Sequence, residues 1–260
     1  MRKHWKLLAA VGTVILVIAI AVVLLNPPAP AAKQDGPSSL QASGKFGFPV
    51  SGIKIGEGGT KTASDGKTPA GYNGTCDSAA QAASNYVRLI RDVNRKTWTT
   101  QKAALADVSV PGSWLQEATA VGDLLTASNE ASSLGFDGGW YDRTDVEAGG
   151  MYRLVSCDEK KTSVVQVFIG SVSAQTAGDP LASFDTVSME LTWAGDWKIS
   201  DLLVAGQDRD FGGRVKDKGP GGAVGDASTA TVPTLTDSLI NTLFEGKSRE
   251  GWIEYANAKR

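Results

Sequence analysis

Histidine occurs once in this chain, at His4, and cysteine twice, at Cys76 and Cys157. That inventory removes most catalytic constellations before any fold is considered. A Ser-His-Asp or Cys-His nucleophile has no imidazole base beyond residue 4, and a histidine-rich zinc or iron site has no ligands. Two cysteines cannot build a four-cysteine metal site, so no metal or other cofactor is expected. The remaining candidates are carboxylates, which cluster at Asp142, Asp145 and Glu147 and again at Asp208 and Asp210. Two carboxylates flanking a sugar bond suffice for glycoside hydrolysis. A catalytic acid, however, needs burial to raise its pKa, and Asp145 and Glu147 share one face with Arg143 in the alternation of a solvated strand. A carboxylate-dependent hydrolase is thus the minor alternative.

Three short motifs imitate known chemistry. Ser64-Asp65-Gly66-Lys67 matches the S-x-x-K nucleophile pattern, but it lies in a Gly-rich loop and lacks the companion S-D-N and K-T-G elements. Gly66-Lys67-Thr68 ends like a phosphate-binding loop, yet Lys61 stands where the first glycine should be. Asn73-Gly74-Thr75 is a glycosylation sequon, meaningful only in a host that modifies such sites. Trp98, Trp114, Trp140, Trp193 and Trp197 could form a sugar- or peptide-binding surface, although tryptophans more often fill a core.

The elements that must position these residues begin with a membrane segment. Leu7 to Leu25 contains no charge or strong polar group, and at 1.5 Å per residue a helix of that length comes close to the roughly 30 Å hydrocarbon core. It exceeds a signal h-region and reads as an uncleaved anchor; a cleaved secretory signal ending near Ala29-Pro30-Ala31 is the alternative. Arg2, Lys3 and Lys6 precede the span, which predicts a cytoplasmic N-terminus with the bulk of the chain outside the cell membrane. Without those three, 23 basic residues face 28 acidic ones, so no positive field exists to hold nucleic acid. In an exported domain Cys76 and Cys157 are expected to form one disulfide. Two unpaired thiols are the alternative.

With 42% hydrophobic and 21% charged residues overall, the chain can bury a core. Residues 26–67 read as a Pro/Gly-rich tether, with one strand possible where Phe46, Phe48, Val50, Ile53 and Ile55 alternate. In residues 68–204 a helix is predicted from Ser78, capped by Ser78 and Gln81, with Ala79, Ala82, Ala83, Tyr86, Leu89 and Ile90 on one face and Asn85, Arg88 and Arg91 on the polar remainder. Shorter helices are predicted at 100–106 and 113–128, the latter with Leu115, Ala118, Val121, Gly122 and Leu125 inward. From Gly138 the period changes to two, predicting strands at 140–148, 151–157, 163–172, 186–193 and 197–203. Helices followed by antiparallel strands make an α+β domain, helices packed on one curved antiparallel sheet. Residues 205–231 form a Gly-rich linker. Residues 232–260 form a C-terminal amphipathic helical segment whose stripe either covers the sheet or docks on a partner. Leu235, Leu239, Leu243, Phe244 and Trp252 are the candidate docking residues.

Three stretches resemble a group of single-pass actinobacterial membrane proteins, some of them associated with conjugative elements. They are Thr68-Pro69-Ala70-Gly71-Tyr72-Asn73 with the following Ala-rich helix and Asn85-Tyr86; Gly150 to Ser156 with Val165 to Phe168; and the hairpin Thr192-Trp193-Ala194-Gly195-Asp196-Trp197-Lys198. That group reads P-x-G-[YF]-P-x-T in the first stretch, and Asn73-Gly74 departs from it. The order of elements is also similar to the nuclear-transport-factor-two-like, or cystatin-like, cone that the exported assembly subunit of type IV secretion machines carries behind one membrane span. The resemblance covers about residues 68–204 and transfers no catalytic residue. It implies a non-enzymatic envelope assembly or scaffold subunit with a protein partner in the envelope and membrane lipid around its anchor. An exported ligand- or wall-binding module is the alternative.

Overall fold

A long helix, α1 (Cys76–Arg91), organises the molecule. Its N-cap is Thr75, not the expected Ser78: the Thr75 hydroxyl accepts from the Ser78 amide at 3.2 Å, and the Thr75 carbonyl takes the first helical bond, from Ala79, at 3.0 Å. Ala79, Ala80, Ala82 and Ala83 are fully buried, and side chains that small let α1 lie close against the sheet. The expected polar face is only partly solvated, because Asn85 is also buried, at 4% exposure. The computed structural model describes residues 40–91, 97–127, 140–175, 181–205, 232 and 234–260. All of them fall within one compact unit, Asp35–Arg260. The run Leu7–Leu25 and the linker 205–231 lie outside the described residues, apart from Ala205. Among the described residues no helix is long and apolar enough to cross a membrane.

Two helices follow, α2 (Trp98–Val108) and α3 (Ser113–Ala127). They meet where the Trp98 ring lies over Gly122; a Cβ there would come within 2.0 Å of the ring, so only glycine fits. Trp98 Nε1 donates to Asp123 Oδ1 at 2.8 Å and fixes the pair. Val121, expected inward, is instead 55% exposed.

The architecture is α+β, with helices packed on a mostly antiparallel eight-stranded sheet. Its strands are β1 (Leu40–Ser43), β2 (Pro49–Ser51), β5 (Trp140–Asp145), β6 (Met151–Asp158), β7 (Thr162–Gln175), β8 (Leu181–Trp193), β9 (Trp197–Ala205) and β10 (Trp252–Glu254). The order is β1-β2-β10-β6-β7-β8-β9, and β5 pairs with the second half of β7. A separate two-stranded sheet joins β3 (Lys61–Thr62) to β4 (Pro69–Ala70). The expected strand through Ala148 breaks after Asp145 into a single turn, α4 (Val146–Gly149); Asp145 caps it by accepting from the Ala148 amide at 2.9 Å, and Gly150 ends it at φ 63°.

Period-two alternation buries both faces of the sheet. Val165, Val167, Ile169, Val187, Met189 and Leu191 join the core under α1. Met151, Phe168, Val172 and Phe184 point to the opposite core. That second core is completed by both ends of the unit, and two expectations are corrected here. Residues 40–67 are not a tether: β2 joins the sheet, and Phe46, Phe48, Ile53 and Ile55 are buried. The tail is not wholly helical and its stripe is not kept for a partner. After α5 (Asp237–Leu243) it forms β10 between β2 and β6, and Leu235, Leu243, Phe244 and Trp252 are buried with Leu239 packed against them. The physical reason is that the β6–β7–β8 face otherwise exposes Met151, Phe168 and Phe184, and burying that surface is worth about 25 cal/mol per Å².

Candidate functional site

The motifs that carry the resemblance meet in space. Gly195, at φ 78°, turns the β8–β9 hairpin, and the buried Asp196 after it reaches back 125 residues in sequence. Its carboxylate accepts from the Gly71 amide at 2.7 Å and from the Tyr72 amide at 2.8 Å. Trp197 Nε1 donates to the Thr75 carbonyl at 3.1 Å and to Ser78 Oγ at 3.0 Å, while the Tyr86 hydroxyl donates to the Trp197 carbonyl at 2.9 Å. Asn85 closes the set: its Nδ2 donates to Tyr72 Oη at 2.7 Å and to the Glu57 carbonyl at 2.9 Å, and its Oδ1 accepts from the Gly56 amide at 2.8 Å. The first loop, α1 and the hairpin are therefore parts of one internal latch.

A disulfide joins Cys76 to Cys157, with Cα atoms 5.9 Å apart, and ties the head of α1 to β6. Four tyrosines are buried in the core under α1. Burial pushes the phenols of Tyr72, Tyr86 and Tyr255 up; the Asp196 charge adds to the shift for Tyr72 and Tyr86, and Tyr152 adds to it for Tyr255. Tyr152 is pushed up to about 12, again chiefly by burial. Buried phenols stay neutral because an ion in this interior loses its water.

The carboxylates resolve differently. Asp145 caps α4 and meets Lys259 Nζ at 2.5 Å, with Glu147 3.5 Å from the same ammonium. Hydrogen bonding to Asp145 holds the Lys259 ammonium above its ordinary pKa, partly opposed by burial. A cavity of about 470 Å³ lies beside this group and Arg88. Asp142 belongs to β5 and pairs with Ser173 through the backbone; Asp208 and Asp210 lie outside the described residues. Among the described residues no group of three or more His, Cys, Asp or Glu side chains has a metal-holding arrangement.

The S-x-x-K loop is tied down by hydrogen bonds. Both the Ser64 amide, at 2.7 Å, and the Ser64 hydroxyl donate to Asp107 Oδ2. Asp65 accepts from the Lys67 and Thr68 amides at 3.1 and 2.9 Å and from the Thr68 hydroxyl at 2.5 Å. Burial works to raise the Asp65 carboxyl, but the Thr68 and Lys67 hydrogen bonds outweigh it and hold the group below its ordinary value.

That loop forms one wall of a cavity of about 440 Å³, within the range of small-molecule sites. Lys67, Arg88, Thr100 and Gln101 supply polar walls, and Pro69 and Leu89 apolar ones. Gln101 is 6% exposed; its Nε2 donates to the Leu89 carbonyl at 2.6 Å, while its Oε1 is buried and accepts nothing. Arg88 is exposed, as its place on the polar face of α1 predicts, whereas Gln101 carries no sequence signal. Their convergence depends on how α1 meets α2, for which the sequence carries no local signal.

Compared with known proteins, the chain matches no family model, no curated protein and no solved structure.

Proposed function

We propose that this chain is a membrane-anchored, non-enzymatic scaffold subunit of an envelope assembly, of the conjugation or type IV secretion class. The anchor is the apolar run 7–25, with the N-terminus cytoplasmic and the folded unit outside. The helix-on-sheet arrangement is taken as a cystatin-like cone closed on itself. One observation carries this reading: the space between α1 and the sheet is filled by Tyr86, Tyr152, Tyr255 and Trp197, each at most 1% exposed. A cone that works as a small-molecule receptor or an enzyme would keep that space open. The polar residues of the shared motifs likewise serve internal hydrogen bonds, which suits a rigid building block. The Cys76–Cys157 pair is consistent with an oxidising compartment, and the Lys259 ion pairs disfavour a hydrolase at Asp145 and Glu147.

The test places a photo-crosslinking residue at Val121 and, separately, at Val155, the two large hydrophobic side chains exposed among the described residues, in the full chain in its native host. Discrete crosslinks to another envelope protein, unaffected by Glu147→Gln, are expected. A wall-degrading activity of the purified chain that Glu147→Gln abolishes would overturn the reading, as would the absence of crosslinks from both positions and from further surface sites.

A further inference from the structure

Asn73 is the one asparagine in the chain that precedes glycine. Gly74 has no side chain to shield its amide nitrogen, and that nitrogen needs only the right rotation of the Asn73 side chain to close a five-membered ring on Cγ. The structure supplies that rotation. Asn73 Oδ1 accepts from the Thr75 amide at 3.2 Å and from the Thr75 hydroxyl at 2.8 Å. An asparagine bonded to the amide two residues on closes a turn around the intervening peptide, which folds Cγ over the Gly74 nitrogen. Gly74 holds its part of the turn at φ 82°, and its carbonyl accepts from the Lys160 amide at 2.9 Å. The two Thr75 donors also face the oxygen on which charge develops when a nucleophile adds to Cγ, as the donors of an oxyanion hole do. Asn73 is exposed, so water reaches it. Among the described residues neither its Nδ2 nor the Gly74 amide donates to another group.

We infer that the Asn73-Gly74 peptide is a self-modifying site, which loses ammonia through a cyclic imide and alters the latch as the chain ages. The Gly74 nitrogen, its proton taken by solvent base, forms a bond to Asn73 Cγ; the Cγ–Nδ2 bond breaks, and the nitrogen leaves as ammonia. Water then opens the succinimide. Opening at Cγ leaves aspartate. Opening at the main-chain carbonyl leaves isoaspartate, whose backbone runs through the former side chain and is longer by a carbon. The aspartate keeps the Thr75 bonds and adds a negative charge beside the positive end of α1. The isoaspartate lengthens the chain between Gly71 and Tyr72, which Asp196 holds, and Thr75, which Trp197 holds, and so slackens the latch. Neither outcome depends on the assembly reading.

Peptide mass spectrometry on the full chain in detergent, aged at mildly acidic and at mildly alkaline pH, tests the inference. The peptide holding Asn73 is expected to gain the mass by which a hydroxyl exceeds an amino group and to become a substrate for isoaspartate methyltransferase. The alkaline sample should react faster, because the nucleophile must lose a proton. Asp65-Gly66 can isomerise as well, but without that gain in mass. Because the turn presets the ring, the folded chain should react at least as fast as the same chain reduced and unfolded in urea. Thr75→Val removes the hydroxyl donor and should slow the reaction by about threefold to tenfold, the worth of one hydrogen bond, and Thr75→Ser should restore it. Chains carrying isoaspartate should melt earlier than Asn73→Asp; equal transitions would overturn the effect on the latch. The inference fails if Asn73 stays intact in the folded chain or reacts there more slowly than in urea. It also fails if Thr75→Val, with its thermal transition intact, reacts as fast as the unaltered chain.

Discussion

The two faces of the sheet are closed by different chemistry. Under α1 the large side chains are Tyr72, Tyr86, Tyr152, Tyr255 and Trp197, and most of their polar atoms have partners on distant elements. On the opposite face they are Phe46, Phe48, Phe168, Phe184, Phe244 and Trp252. There the rings pack against one another at 5.4–6.0 Å, and Arg153, Arg249 and Arg260 lie over their outer faces. Hydrogen bonds require one relative position of helix, loop and hairpin, whereas apolar contact tolerates small shifts. The helix-bearing face thus sets the register of the molecule, and the aromatic face mainly adds buried area.

The contrast is broken most severely by alkali. A phenol whose folded pKa is raised contributes stability that is complete below the unfolded value, near 10, and is lost as the pH climbs through the folded value. Tyr152, at about 12, and its three raised neighbours all lie under α1. Each phenol removes about 1.4 kcal/mol per pH unit once the unfolded chain ionises, so denaturant midpoints should collapse between about pH 10 and 12. Tyrosine absorbance at about 295 nm, followed alongside circular dichroism, should show ionisation and unfolding together; ionisation of all four phenols in a still folded chain would refute the prediction.

Reduction of the disulfide comes next. It closes a separation of 81 residues on the helix-bearing face, and the chain-entropy relation gives about 4.5 kcal/mol. Urea melts with and without reductant measure it. Asp196→Asn should cost about 1.5–3 kcal/mol, the range for hydrogen bonds to a charged group, because the amides of Gly71 and Tyr72 lose a carboxylate acceptor. A tryptophan pair sharpens the comparison further. Trp197→Phe removes the indole donor shared by Thr75 and Ser78 and leaves a void among fully buried side chains, and should cost about 2 kcal/mol; Trp252→Phe removes ring area from an adaptable cluster and should cost about 1 kcal/mol. Equal costs would erase the distinction between the faces. Val121→Ser, on the exposed side of α3, should stay within about 0.5 kcal/mol.

Much of the sheet was legible in the sequence because its signal is local. The alternation Val187, Met189, Leu191, Trp193 marks β8 from within itself, and Gly195-Asp196 marks the hairpin. The spacing of alanines marks α1, though its cap lay three residues upstream, where Asn73 and Thr75 form the turn that feeds the helix. Asp145 and Gly150 were the readable brackets of α4, but strand alternation running into them masked the break. The role of Phe46 to Ile55 was not legible, since a three-residue strand pairing in parallel with residues some two hundred positions away has no local signature. The cavity failed for the same reason: Lys67, Arg88 and Gln101 belong to three elements, and α1 and α2 meet through contacts such as Gln101 Nε2 on the Leu89 carbonyl, which leave no local mark in the sequence.

The seam between β2 and β10 also fixes a timetable. Ser51 Oγ donates to the Glu254 carbonyl, 203 residues later, and the Ile53 carbonyl waits for the Ala256 amide. A chain made N-terminus first therefore leaves Phe46 and Phe48 without their Trp252 and Phe244 partners until that distant stretch has emerged. Closure of such distant contacts is slow, so this stretch is where a half-made chain is most open to chaperones, proteases or a second nascent copy.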